Sequence, residues 1–514
     1  MPTNISSKST IAKNTALLYG RTVLIMIVSL YTSRVILQAL GVEDYGVYTA
    51  IGGVVSILSV VIAPIDSAIS RFLTYELGRG DKDMLRRYFS MGLTVMLLFS
   101  LIAVIILETV GLWFLNNKMV IGEGRLGAAN WVLHLSILTF IINMISSPYR
   151  ATLIAHEKMN LFAYMGILDA LLKLGVAFLI KVSTFDKLIL YAFLMLLVSI
   201  LIRFIYTVIC NRNFEECHKP QFKIDKELFG GMFSFAGWSV FGAVAGVCRN
   251  QGVNILFNVF GGPVVNAAFG IANQVNGAVG SFVNNFTTSL NPSIIKSYAS
   301  KQKEYMLSLV YQGAKYSYFL ILIFALPLLL ETEYVTRLWL GQTPDYSVSF
   351  IRIILLHSLI ESFSKTIMAG TNATGNIRMY QLVVGGFQIL ILPIVFILLK
   401  NGFSPTIAFL SIVIVDFLAL LARMLMASNI FGLSFVEFTR NVLIVSFLTT
   451  LLAIPVPFLV AYYMPQSLVR FVIVVLLCVM MTSSSILFVG CTRSERKAII
   501  AKVKLIINRF VKKS

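Results

Sequence analysis

LILYAFLMLLVSILIRFIYTVIC, residues 188–210, carries one charged side chain, Arg203, in an otherwise apolar run. As an α-helix rising about 1.5 Å per residue, it is long enough to cross a hydrocarbon core about 30 Å thick. Runs of this kind fill the chain. They cover about 14–38, 46–69, 88–115, 127–147, 161–181, 188–209, 231–256, 264–290, 308–330, 347–369, 380–400, 405–430, 441–463 and 468–490. No polar segment between them is long enough to fold as a domain. Hydrophobic residues make up 58% of the chain, charged residues 13%, and the mean hydropathy is +0.85. A soluble domain carries about 25% charged residues. Backbone polar groups in lipid must bond internally, which leaves helices or a closed barrel. The runs are continuous, not alternating, so helices are expected. The chain reads as an all-α polytopic membrane protein of about 14 transmembrane helices.

The net charge of +19 would suit nucleic acid if it formed a patch. It does not. With the N-terminus inside, the even-numbered connections carry Arg79, Lys82, Arg86, Arg87, Arg150, Lys158, Arg212, Lys219, Lys223, Lys226, Lys296, Lys301, Lys303, Arg378 and Arg440. The two ends add Lys8, Lys13 and the basic tail from Arg493 to Lys513. About 25 basic residues then lie on one side and about six on the other. That bias predicts both termini in the cytoplasm and no nucleic-acid partner. The tail is expected either along an anionic leaflet or in solvent. The first apolar run is too long for a signal-peptide core, so no cleaved leader is expected. Five cysteines, Cys210, Cys217, Cys248, Cys478 and Cys491, suggest neither a disulfide framework nor a metal site.

The chain echoes itself. ISRFLTYELGRGDKDMLRRYFSMG (69–92) parallels LNPSIIKSYASKQKEYMLSLVYQG (290–313). Gly92 and Gly313 are 221 apart, as are Gly41 and Gly262. IAHEKMNLFAYMG (154–166) parallels ATGNIRMYQLVVG (373–385) at a shift of 219. About six spans separate the copies, which gives two lobes of the same orientation. This is the parallel-repeat plan of alternating-access transporters, with substrate between the lobes. The lobes are expected at 1–210 and 211–435, two further helices at 436–490, and a basic tail at 491–514.

ALGVEDYGVYTAIGGVV (39–55), RFLTYELGRGD (71–81), NPSIIKSYAS (291–300) and GTNATGNIRMYQL (370–382) together resemble the polysaccharide transporter family. These are Wzx-type flippases of O-antigen and other lipid-linked repeat units. They share a superfamily with multidrug and toxin extrusion (MATE) antiporters. The resemblance covers most of the chain, and its motifs are structural. It implies two MATE-like six-helix lobes plus two C-terminal helices. It also implies outward movement of a polyprenyl-diphosphate-linked oligosaccharide across the bacterial cytoplasmic (inner) membrane. Its implied setting is cell-surface polysaccharide or lipopolysaccharide synthesis. The bilayer and other polysaccharide assembly proteins would then be partners.

Ionisable groups in mid-membrane cost about 2.5–3.5 kcal/mol and normally face a wet cavity or a partner. Arg21 and Arg249 fall on the helices that open the two lobes. Two guanidinium forks on a common cavity would bind a diphosphate bidentately. Amides crowd the seventh span, which carries Arg249, and the eighth. Asn250 and Asn254 lie in one. Asn273, Asn276 and Asn284 follow three- and four-residue steps in the other, with Gly277 and Gly280. Such a face suits sugar hydroxyls; its alternative is hydrogen bonding between helices. His357, Glu361 and Lys365 share a helix face, and His357, Glu361 and Asp416 are candidates for ion coupling. The alternative for Glu361 with Lys365, and for Asp169 with Lys173, is an internal ion pair. Asp66 follows Pro64 closely, which suits a kink, a hinge or an ion site.

Enzyme readings are weaker. Asp81 and Asp83 form an Asp-x-Asp pattern in a basic turn, and Glu331 and Glu333 a looser match. Both also suit ordinary connections. No Walker loop, Gly-x-Ser-x-Gly or His-Glu-x-x-His occurs. No cofactor or metal is therefore expected, and no catalysis. A MATE-type cation-coupled drug exporter is the main alternative. A membrane glycan polymerase or glycosyltransferase is a further one.

Overall fold

The computed structural model describes residues 8–493 and 495–497, apart from 118, 120, 123, 219, 222–224 and 342. Most of the basic tail lies outside the described residues, as do Lys118, Lys219 and Lys223. The long helices are α1 (Lys8–Leu40), the pair α2 (Val42–Ser56) and α3 (Ser59–Arg79), α4 (Lys82–Ile106), continued by α5 (Leu112–Asn117), α6 (Leu126–Ala155), α7 (Met159–Val182) and α8 (Lys187–Asn213). Next come α9 (Lys226–Ala299), α10 (Lys303–Leu330), the short α11 (Thr332–Leu340), α12 (Ser347–Thr374), α13 (Arg378–Lys400) and α14 (Pro405–Phe431). The chain closes with α15 (Phe435–Phe438), α16 (Val445–Ala453), α17 (Pro455–Tyr463) and α18 (Leu468–Ser485). No strand occurs among the described residues.

Twelve helices are long and apolar enough to cross a membrane, and the bent α2–α3 pair makes a thirteenth. Helix α9 has 74 residues and would be about 110 Å long if straight. No membrane is that thick. It breaks at Gly262, whose φ of 75° and ψ of −175° are not helical, and is therefore two spans. Among the described residues the count reaches fourteen, as the sequence suggested.

The ends follow the local sequence. Asp81, Asp186, Asp225, Ser404, Ser434 and Ser467 cap helix N-termini through their side-chain oxygens. Gly80 and Gly432 close α3 and α14 in the left-handed conformation. The second span is not the single straight run expected. It bends by 52° between Ser56 and Ser59. There Ser56 Oγ donates to the Gly53 carbonyl and Ser59 Oγ to that of Ser56, in competition with the helix ladder. The third span runs from α4 into α5 through a π-helical turn at Leu107–Gly111.

Two compact units result. Unit 1 comprises the described residues within 8–244, 288–303 and 375–378. In it α1 packs along α7, and α6 along α8 and α3. The end of α9 is part of this unit. Lys296 Nζ lies 3.0 Å from Glu157, Thr15 shares a 2.7 Å hydrogen bond with Ser289, and Gly78 meets the Lys296 backbone. Unit 2 comprises the described residues within 245–287, 304–374 and 379–497. Here α12 packs along α14, and Phe257 has Phe269, Phe350 and Phe409 within 6.0 Å. The last spans are tied to it by Arg470 with Glu331 at 2.6 Å and Tyr318 with Thr450 at 2.7 Å.

The helix register reproduces the internal echo. Helix α6 begins at Leu126 and α12 at Ser347, 221 residues later; α7 begins at Met159 and α13 at Arg378, 219 later. Gly41 and Gly262 each interrupt a helix at positive φ, 83° and 75°.

Candidate functional site

Each unit holds a polar cavity within its apolar helices. In unit 1 a cavity of about 410 Å³ is lined by α1, α3, α6, α7 and α8. Helix α1 supplies Arg21 and α3 supplies Asp66. Asn143, Ser147 and Arg150 come from α6. Phe162, Gly166, Asp169 and Lys173 come from α7, and Tyr206 from α8. Ser147 donates to the Asp66 carboxylate, and Arg150 stands 3.7 Å from it. Lys173 lies 2.7 Å from Asp169. The Arg21 guanidinium stacks 4.6 Å from the Phe162 ring centroid. Gly166 makes room for it; a β-carbon there would collide with the guanidinium. Arg21 Nε is buried without a hydrogen-bond acceptor.

In unit 2 a cavity of about 230 Å³ is lined by Arg249 and Asn250, by Asn273 and Asn276, and by His357, Glu361 and Gln388. Arg249 reaches Asp416 Oδ1 at 3.2 Å and His357 Nε2 at 3.2 Å. His357 Nε2 also lies 2.8 Å from Asp416 Oδ2. One ring nitrogen cannot do both: it donates to Asp416 or accepts from Arg249. Glu361 is 3.9 Å from His357 Nδ1 and 2.8 Å from Lys365 Nζ. Ser358 donates to Asn276 Oδ1 at 2.7 Å, which fixes that amide.

Of the residues singled out in the sequence, Arg249, Asn250, Asn273, Asn276, His357 and Glu361 line one cavity, and Asp416 bonds to two of them. Arg21 lines the other cavity, so the two arginines do not share one of these sites. Asn254 and Asn284 line neither. The Asn254 carbonyl accepts from Asn266 Nδ2 at 3.0 Å, and the Asn284 side chain is exposed. Asp169 pairs with Lys173 and Glu361 with Lys365 along their helices, as their spacing suggested. Arg423 donates to the Tyr380 hydroxyl at 3.1 Å.

Arg150 counts in the sequence with the connection that follows the fourth span. It lies inside α6, five residues before its end, and faces Asp66. Asn143, Ser147 and Arg150 follow helical spacing, a signal that the charge count hid. Gln388 and Tyr206 gave no sequence signal beyond polarity within a span.

Three of the four carboxylates in these patterns have structural partners. Asp81 caps α4 by accepting from the Met84 amide at 3.0 Å. Glu331 is buried against Arg470, and Glu333 lies 3.4 Å from Arg352. Among the described residues no three His, Cys, Asp or Glu side chains group as they would around a metal ion.

Residues 11–298 match the family model described as polysaccharide biosynthesis protein. No curated protein matches the sequence. Solved structures match it in fold. A MATE in the straight conformation has a TM-score of 0.72 at 12% identity, covering 82% of this chain and 96% of that one. An outward-facing multidrug resistance MATE family transporter of the MOP superfamily gives 0.72 at 13% identity, covering 82% and 95%. A MOP superfamily transporter from Pyrococcus furiosus gives 0.71 at 12% identity, again covering 82% and 95%. That last protein is described as having a binding pocket of reverse polarity that suggests a different function.

Proposed function

The chain belongs to the polysaccharide biosynthesis protein family, and from that membership we propose that it is a flippase for a polyprenyl-diphosphate-linked oligosaccharide. It moves this lipid from the inner to the outer leaflet of a bacterial cytoplasmic membrane by alternating access, with both termini in the cytoplasm. Its product serves cell-surface polysaccharide or lipopolysaccharide synthesis, O-antigen included.

One observation carries the saccharide part of this reading: the amide lining of the unit 2 cavity. Asn250, Asn273, Asn276 and Gln388 come from the two halves of α9 and from α13, yet meet in one small polar space. An amide both donates and accepts, as a sugar hydroxyl does. Amides facing lipid would be costly, and facing a cavity they are free to bind polyols.

Beside them sits a network suited to ion coupling. Arg249, His357, Asp416 and Glu361 are held together, and the proton on His357 decides which neighbour it binds. Proton uptake there would loosen Arg249 from His357 and so alter the wall of the cavity.

The fold neighbours favour a second reading, a cation-coupled drug exporter. A single assay separates the two. In cells lacking this chain, lipid-linked saccharide should accumulate on the inner leaflet. The wild-type gene should restore it to the outer leaflet, and the Asn273→Ala/Asn276→Ala variant should restore it at least about tenfold more slowly. Normal outer-leaflet saccharide without the chain, together with loss of drug extrusion, would establish the exporter instead.

A further inference from the structure

One face of unit 1 sets polar groups among exposed apolar ones. Glu108 stands in the π-helical turn between α4 and α5, and His134 on the neighbouring α6. Glu108 Oε1 lies 2.9 Å from His134 Nδ1. Glu108 precedes the end of α5 at Asn117 by nine residues, and His134 follows the start of α6 at Leu126 by eight. Both therefore sit about 12–14 Å along their spans from the α5–α6 connection. The pair is not covered: the two side chains are 34% and 40% exposed. Its neighbours on the same helix faces are Leu101 and Ile105 on α4 and Trp131 and Leu138 on α6. These are large, apolar and 48–60% exposed. A face lined in this way meets hydrocarbon, not a wet cleft, and an uncovered ionisable pair is costly there. Its bonding capacity is not filled either. Among the described residues, Glu108 Oε2 and His134 Nε2 have no partner. Nearer the connection, Asn116 and Asn130 exchange hydrogen bonds of 3.2 Å in both directions and are likewise partly exposed.

We propose that this face is where two copies of the chain associate in the membrane, Glu108 of each pairing with His134 of the other. The partner follows from complementarity. Two copies of the same orientation, related by a two-fold axis along the membrane normal, bring groups of equal depth together. Glu108 and His134 are bonded to each other, hence equal in depth, and they carry opposite chemistry. Rotation about the axis sets each carboxylate opposite the other copy's imidazole. The free Oε2 and Nε2 atoms then meet, and a ring of two carboxylates and two imidazoles closes. With both imidazoles protonated, every ring N–H donates to a carboxylate oxygen and the charges cancel. Asn116 and Asn130 form a second rung of the same kind, since each amide donates and accepts. Polar side chains bonding across helices, flanked by an aromatic such as Trp131, suit a contact within lipid. The face shares no residue with the lining of the unit 1 cavity. The proposal therefore stands whether or not the chain moves saccharide.

The test uses the full chain, carrying one fluorophore per molecule, in liposomes over a wide range of protein-to-lipid ratios, with bleaching steps counted per spot. Single steps are expected at high dilution and pairs of steps as the ratio rises. Glu108→Leu/His134→Leu puts apolar groups on an apolar face. It should fold as the wild type does and shift the monomer–dimer midpoint towards monomer by at least about tenfold. Exchange of the groups gives the sharper arm. Neither Glu108→His nor His134→Glu should self-associate, because each presents like groups to its own copy. Mixed in two colours, they should pair with each other, because each then meets the group it lacks. Pairing in the mixture also shows that both variants are folded, which a role confined to the single chain would not produce. A wild type that stays monomeric at every ratio overturns the proposal. So does an unchanged midpoint in the leucine variant, or a mixture of the two exchange variants that stays apart while the leucine variant melts as the wild type does.

Discussion

Arg470 shows what a single charge does inside this protein. Its guanidinium lies 2.6 Å from Glu331, donates to the carbonyls of Ala461 and Met464, and is almost wholly buried. The carboxylate partner is buried as well. A buried pair returns little net stability, because both ions lost their water, but half a pair is expensive. Arg470→Met should therefore lower stability by about 3–5 kcal/mol, seen as a lower thermal transition in detergent. Adding Glu331→Met should recover most of it. A double variant as unstable as the single one would show that the pair is not the cause. The sequence displayed Glu331 as half of a loose carboxylate pattern, and gave no means of seeing its partner, 139 positions away. Pairs one helical turn apart were legible, as with Asp169 and Lys173 or Glu361 and Lys365. Pairs between helices were not, because spacing along a chain carries no information on which helix lies opposite.

At the scale of elements, the turns hold more specific information than the helices. Gly41 and Gly262 adopt φ of 83° and 75° with ψ of 168° and −175°, a region open essentially to glycine alone. Nothing approaches either α-carbon closely enough to clash with an added methyl, so the cost of alanine there is conformational. Gly41→Ala and Gly262→Ala should each destabilise by about 1–3 kcal/mol. Gly20→Ala, inside α1 and also unobstructed, should be neutral or mildly stabilising by about 0.5–1 kcal/mol. Thermal melts of the three variants decide it; equal effects at all three positions would refute the turn argument. A second device joins connections at one end of unit 1. Arg125 bonds to Asp44 at the start of α2 and, at 2.5 Å, to Asp186, the cap of α8. Partial burial pushes the Asp186 carboxyl up, but the Arg125 bonds and the Ile189 and Leu188 amides outweigh it and hold the group below its ordinary range. A carboxylate so depressed stabilises the fold fully above its unfolded pKa of about 3.9, and that contribution fades as pH falls through the lower folded value. Arg125→Ala should thus flatten the acid limb of the stability curve while lowering the neutral plateau. An unchanged acid limb would remove Asp186 from the account.

For the whole molecule, class and count were legible, and the shape of the sites was not. Runs of about 20 apolar residues are long, redundant signals, so fourteen spans could be counted without any tertiary knowledge. The shift of about 220 residues was visible because turns need particular residues, as Gly41 and Gly262 show. The cavities depend on which helix faces converge within each unit, and spacing along the chain does not tell that Arg21 meets Phe162 and Gly166 or that Arg150 faces Asp66. The proposed division of labour is testable as a whole. If Arg249, His357 and Asp416 couple cargo to protons while the amides hold cargo, coupling and movement must be separable. In proteoliposomes, wild-type protein should move a lipid-linked saccharide faster when a pH gradient is imposed, and Asp416→Asn should lose that acceleration. The same variant should still equilibrate the lipid between leaflets without a gradient, because its amide lining is intact. His357→Gln should match it, since the exchange of one ring nitrogen between Asp416 and Arg249 is gone. Asn273→Ala/Asn276→Ala should show the converse, slow movement that still responds to the gradient. Gradient dependence of wild-type size in Asp416→Asn would place the coupling elsewhere in the chain.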